Sequence, residues 1–223
     1  MNNIDVVFNE IFDEKSSDKI LMSIESLCNS ISSESAQDKT ENIYIVFFET
    51  MGKIKHELIK FFTKSNYTHV GLSTDEKLTD FYDVVSEGLR NFNVNKMLKE
   101  DRVLRVFSFP ISKFQKTQLK KVLKIFQTNN IKYDSKIFLR LALPIRIKPH
   151  PDKFKNEEIK NSNRFICSAF VASVLALISP KVKNYLINKD INISFITPEQ
   201  IANYPDLEYE FSYNPSNKKK IKK

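Results

Sequence analysis

Arg164-Phe165-Ile166-Cys167-Ser168-Ala169-Phe170-Val171-Ala172-Ser173-Val174-Leu175-Ala176-Leu177-Ile178 is the most apolar stretch of the chain. Within it Cys167, Phe170, Val171, Val174, Leu175 and Ile178 recur at helical spacing. The run is too short to span a bilayer and reads as a helix buried in a domain core. Asn161-Ser162-Asn163-Arg164 precede it, so Cys167 stands at the head of that helix. The helix dipole favours a thiolate there by only about 0.3–1 kcal/mol. A nucleophilic thiolate therefore needs an imidazole as well. Without one, Cys167 reads as plain core, because an unpaired cysteine packs like a small hydrophobe.

The matching histidine lies almost a hundred residues earlier. Tyr67-Thr68-His69-Val70-Gly71-Leu72-Ser73 alternates as a strand, and Leu78 to Val85 reads as a second strand after the turn Thr74-Asp75-Glu76-Lys77. A hairpin centred on Glu76 sets His69 opposite Asp83, with both side chains on one face. A carboxylate there holds the imidazole by its second nitrogen and fixes its tautomer. Asp80 points to the other face in this register, and a slip of one residue would reverse the choice. Taken alone, His69 also reads as a hydrogen-bonded core histidine. His56 lies on a helix, off its apolar side, and His150 sits between two prolines in a basic loop. Scattered histidines without paired carboxylates predict no metal site, and no cofactor is expected.

Around these two segments the chain reads as α+β, an antiparallel sheet packed against helices with the nucleophile at the N-terminus of a buried helix. Ile43 to Phe48 is a buried strand, residues 53–64 a helix, and Arg102 to Phe109 a strand stopped by Pro110. Residues 113–128 form a basic amphipathic helix with Leu119, Val122, Leu123 and Phe126 as its apolar stripe. Tyr133 to Leu143 reads as a helix ended by Pro144. Residues 86–101 and 144–163 read as loops. Thr197-Pro198-Glu199-Gln200 combines an N-cap, a first-turn proline and a capping-box glutamine. Leu207 to Tyr213 closes the domain as a strand. The expected organisation is a helical extension and linker over 1–41, the main domain over 42–213, and a basic disordered tail over 214–223.

Composition narrows the function classes. With three glycines in 223 residues, no GxGxxG or GxxxxGK[ST] loop is present to cradle a nucleotide. Cys28 and Cys167 form neither a disulfide framework nor a CxxC pair. Asp5, Glu10, Asp13 and Glu14 stand where a signal peptide would carry Lys or Arg, which predicts a cytoplasmic, soluble protein. The net charge is +8, and residues 110–148 hold ten Lys or Arg against one acid, Asp134. Such a face suits an anionic polymer or membrane surface, or is simply a solvated face. No nucleic-acid motif accompanies it, so specific nucleic-acid binding is not expected. Residues 1–41 are a candidate docking element for a protein partner.

Tyr67-Thr68-His69-Val70-Gly71-Leu72, Arg164-Phe165-Ile166-Cys167-Ser168-Ala169-Phe170-Val171 and Ile196-Thr197-Pro198-Glu199-Gln200, in that order, resemble the circularly permuted branch of the NlpC-type papain-like cysteine hydrolases. That branch includes the YiiX-like and lecithin:retinol acyltransferase-like proteins. Its histidine strand precedes its cysteine helix, and the resemblance covers roughly residues 43–213. It implies a papain-like fold, Cys167 as nucleophile, His69 as base and Asp83 as third group. It also implies Tyr133 and Ser168 near the substrate. Many relatives carry glutamate or histidine in place of Asp83, and residues 1–41 have no counterpart.

The implied chemistry is acyl transfer through a Cys-His acyl-enzyme, on a peptide-like amide as an amidase or peptidase would. Two alternatives keep the fold. One is a lipid acyl hydrolase or acyltransferase, and the other a catalytically inactive domain used for binding or assembly.

Overall fold

A computed structural model describes residues 40–50, 65–96, 102–128, 132–133, 164–193, 196–214 and 219–222. The expected N-terminal helices, the helix at 53–64, residues 134–143 and the loop 144–163 lie outside the described residues. Cys28, His56 and His150 lie there too.

The first strand grows from the Ile43–Phe48 run in both directions to give β1, Thr40–Thr50. Its alternation divides the molecule. Ile43, Ile45 and Phe47 belong to one core, while Val46 and Phe48 belong to another on the opposite face. β2 (His69–Ser73), β3 (Phe81–Val85) and β4 (Gly88–Phe92) follow as a meander on one side of β1. β5 (Arg102–Ser112) pairs along the whole other side. β8 (Glu208–Asn214) and β9 (Lys219–Lys222) complete the seven-stranded order β4-β3-β2-β1-β5-β8-β9. Every pairing within this sheet is antiparallel. Two short strands, β6 (Lys132–Tyr133) and β7 (Arg164–Phe165), pair parallel to each other.

The helices are α1 (Lys113–Thr128), α2 (Cys167–Ile178), α3 (Pro180–Asn188) and α4 (Pro198–Ala202). Every residue of α2 is buried. It packs on β2 and β3 and against α1, α3 and α4. The larger core lies between this layer and the sheet, with Phe47, Phe126 and Phe170 fully buried. Each such side chain contributes about 1.5–3 kcal/mol by leaving water. α1 buries Leu119, Val122, Leu123 and Phe126 and exposes Lys113, Lys120, Lys121 and Lys124, as its amphipathic spacing predicts. The described residues are thus α+β, an antiparallel sheet with helices packed on it. None of their helices is long and apolar enough to cross a membrane.

Several boundaries differ from the sequence reading. Thr40 and Glu41 belong to β1, so the sheet begins before residue 42. β5 runs through Pro110 to Ser112. Its pairing with β8 ends at Ser108, so Pro110 lies where only β1 flanks the strand and its missing N–H breaks no ladder. Residues 86–101 contain β4 and a short 3-10 helix, Val94–Lys96, instead of a plain loop. Lys132–Tyr133 is a strand, so Tyr133 does not begin a helix. Within the expected tail, Lys219–Lys222 pairs with β8.

Candidate active site

The hairpin that carries His69 is built differently from the one centred on Glu76. Leu72 pairs with Tyr82 and Ser73 with Phe81, where that centring would have set them against Asp80 and Thr79. The connection is a longer loop organised by Asp75. Its carboxylate accepts the backbone N–H groups of Thr79 and Asp80, at 3.0 and 2.6 Å. Leu78 takes a positive φ of 56° within it. The register moves by two residues, so each side chain keeps its face.

Asp83 therefore shares a face with His69 but reaches it diagonally. His69 Nε2 lies 2.9 Å from Asp83 Oδ2. Asp83 is 1% exposed. Its other contact is Arg90, directly across the β3–β4 ladder. Arg90 Nε donates to Oδ1 at 2.9 Å and Nη2 to Oδ2 at 2.7 Å. The guanidinium also lies 4.8 Å from the centre of the Phe92 ring. From Phe92 the contacts run through Phe81 (5.2 Å between ring centres) and Phe48 (5.9 Å) back to His69 (5.4 Å). The imidazole is thus held by an ionic arm and an aromatic arm that meet at Arg90. Gly71 serves the second arm, since a Cβ there would overlap the Phe81 ring and approach the Tyr82 carbonyl oxygen to 2.6 Å.

Cys167 arrives from the helical layer. β2 and β3 stop pairing at Leu72↔Tyr82 on the way toward His69, and α2 packs on both strands. The thiol lies close enough to the His69 ring and to the backbone N–H groups of Val70 and Ser168 for all three to act on its charge. With Nε2 committed to Asp83, Nδ1 is the nitrogen left for the sulfur. Ile166, the residue before the helix, has no side chain that can cap it. The sulfur thus takes a first-turn N–H that a cap would otherwise satisfy.

The electrostatics follow from these contacts. Burial pushes the Cys167 thiol up, but the His69 charge, its hydrogen bond and the two backbone donors outweigh this and lower it below the ordinary thiol range. Burial pushes His69 down, yet the charges and hydrogen bonds of Cys167 and Asp83 raise it well above its usual value. Burial also acts on Asp83, and the bonds from His69 and Arg90 overcome it to hold the carboxyl below its usual range. The three groups favour thiolate, imidazolium and carboxylate together.

The segment before α4 fixes both halves of this arrangement. Ser168 Oγ donates to the Ile196 carbonyl at 2.5 Å, and Asn66 N–H donates to Glu199 Oε2 at 3.0 Å. Between them Thr197 and Gln200 form a reciprocal capping box. The residue after Cys167 and a residue three before His69 are thereby tied to one helix start.

Of the five residues singled out from the sequence, the fold brings Cys167, His69 and Asp83 together. The Ser168 side chain is turned into the core toward Ile196, and its backbone N–H lies near the sulfur. The Tyr133 backbone pairs with Phe165, two residues before Cys167, and its side chain lies outside the described residues. Arg90 was missed. Its signal was present: Ser86-Glu87 followed by Gly88 turns β3 directly into β4, with Gly88 at φ 109°, and this sets opposite charges across the ladder.

Comparison with protein-family models, with curated proteins and with solved structures finds no match to this chain. The functional reading rests on the site's own geometry.

Proposed function

We propose that the chain is a cysteine hydrolase of the amidase or peptidase type, with a papain-like fold of the permuted NlpC kind. The observation that carries this reading is the convergence of Cys167, at the head of a buried helix, on a His69 ring that is hydrogen-bonded to Asp83. A structural cysteine needs neither a charged imidazole nor two backbone donors on its sulfur.

The Cys167 thiolate attacks the carbonyl carbon of an amide, forming a C–S bond and moving the carbonyl electron pair onto oxygen. The Cys167 N–H, a first-turn group without an intrahelical acceptor, is the backbone donor for that oxyanion. Collapse expels the amine, which takes the proton of the His69 imidazolium. The neutral imidazole then deprotonates a water that attacks the thioester. This releases the acid, expels the sulfur as thiolate and restores the thiolate–imidazolium pair. Asp83 keeps the ring oriented and stabilises its charge throughout.

A lipid acyl substrate is the second reading, favoured by the exposed lysines 113, 120, 121 and 124 on one side of α1, which suit an anionic surface. The test compares the purified chain with Cys167→Ser on peptide amides, wall-type peptides, thioesters and acyl lipids in anionic vesicles. The hydrolase reading expects covalent labelling of Cys167 by a thiol-directed activity probe and turnover that Cys167→Ser abolishes. Turnover confined to vesicles selects the lipid reading. No labelling and no turnover leave a domain that binds without cleaving.

A further inference from the structure

We propose that Arg90 is a positioning residue for the Cys167–His69 pair, acting through Asp83, which it locks in orientation and charge. The proposal deepens the hydrolase reading of the same site and rests on it. Asp83 projects from a short strand and is reached by two side chains. His69 approaches from β2 and Arg90 from β4. The guanidinium spans both carboxylate oxygens, so Asp83 cannot turn without breaking two charge-assisted bonds. Arg90 is itself held in place. It is directly paired with Asp83 across the ladder and stacked on Phe92, two residues along the same strand.

The clamp does what the imidazole cannot. A buried carboxylate with a single neutral-or-charged ring as partner is free to rotate or to take up a proton. Either change removes the acceptor that orients Nε2 and leaves Nδ1 unaimed at the sulfur. Among the described residues the groups that bear on the pair are few. Cys167 faces His69 and the N–H groups of Val70 and Ser168, while His69 faces Cys167, Asp83 and the uncharged Phe48 ring. Arg90 faces Asp83, with the more distant Glu87 adding attraction. Removing the guanidinium takes a cation from this set, leaves the Asp83 charge unscreened and loosens His69. All three changes act against the Cys167 thiolate.

The test measures the rate of Cys167 alkylation by iodoacetamide against pH on the full chain, read by mass spectrometry, with thermal unfolding of each variant. Arg90→Gln is expected to move the acid limb upward by about one pH unit and to slow the plateau several-fold. Arg90→Lys keeps the charge but loses the fork, and falls between. A merely structural role would alter the melting temperature and leave the limb in place. Folded Arg90→Gln with a wild-type limb overturns the clamp. Where that variant does not fold, Arg90→Lys decides by the same criterion. A wild-type limb at the ordinary thiol position sinks the hydrolase reading and the clamp with it. A wild-type limb displaced to acid, unchanged in the variants, sinks the clamp alone.

Discussion

Asp83 Oδ2 meets His69 Nε2 at 2.9 Å from a position diagonal to it across the hairpin. Extending the observed Leu72↔Tyr82 register would set Val85 opposite the histidine. The carboxylate is buried, and its charge is matched by Arg90 on the far side. Replacing Asp83 by Asn keeps its shape and removes a charged partner from two groups. We expect Asp83→Asn to cost about 2 kcal/mol at neutral pH, measured by denaturant unfolding.

The same carboxylate gives stability an acid dependence of defined sign. Its folded pKa is depressed below the unfolded one, so the unfolded chain binds the proton first on acidification. The Asp83 contribution is fully present above the unfolded value, about 3.9, and is lost as pH falls through the folded value. Unfolding free energy measured from about pH 6 downward should fall less steeply for Asp83→Asn than for the wild type. Parallel curves would remove Asp83 as the source.

Gly71 tests the aromatic arm. Gly71→Ala places a methyl against the Phe81 ring and the Tyr82 carbonyl, and backbone cannot yield as a flexible side chain can. We expect a loss of about 1–3 kcal/mol, seen as a lower denaturation midpoint. Phe81→Leu in the same background should recover part of it by vacating the contact.

The capping box of α4 links the two halves of the site. Thr197→Ala removes a side-chain acceptor from the Gln200 N–H. The expected cost is about 1 kcal/mol. Amide exchange should accelerate around Asn66 and Ser168, both tied to this segment.

What the sequence disclosed follows from periodicity. α2 was legible because an unbroken apolar run at helical spacing has few alternatives, and α1 because its lysines and apolar residues separate cleanly. The pairing of His69 with Asp83 survived a register error of two residues, because strand side chains alternate with period two and only odd slips change the face. The loop length was not legible, since Asp75 gathers backbone donors that composition does not reveal. Arg90 escaped because β4 is short and polar. Its burial comes from Asp83 and Phe92, not from its own pattern. The inward direction of the Ser168 side chain was not legible, because proximity to Cys167 in sequence says nothing of a side chain's direction on a helix.

The reactivity of Cys167 with His69 in place tests the proposed nucleophile most directly. Alkylation at pH 6 to 7 followed residue by residue compares Cys167 with Cys28 in the same molecule. The structure predicts that Cys167, though buried, reacts many-fold faster than Cys28, and that His69→Ala erases the difference. Slow labelling of Cys167, unaltered by His69→Ala, would contradict it.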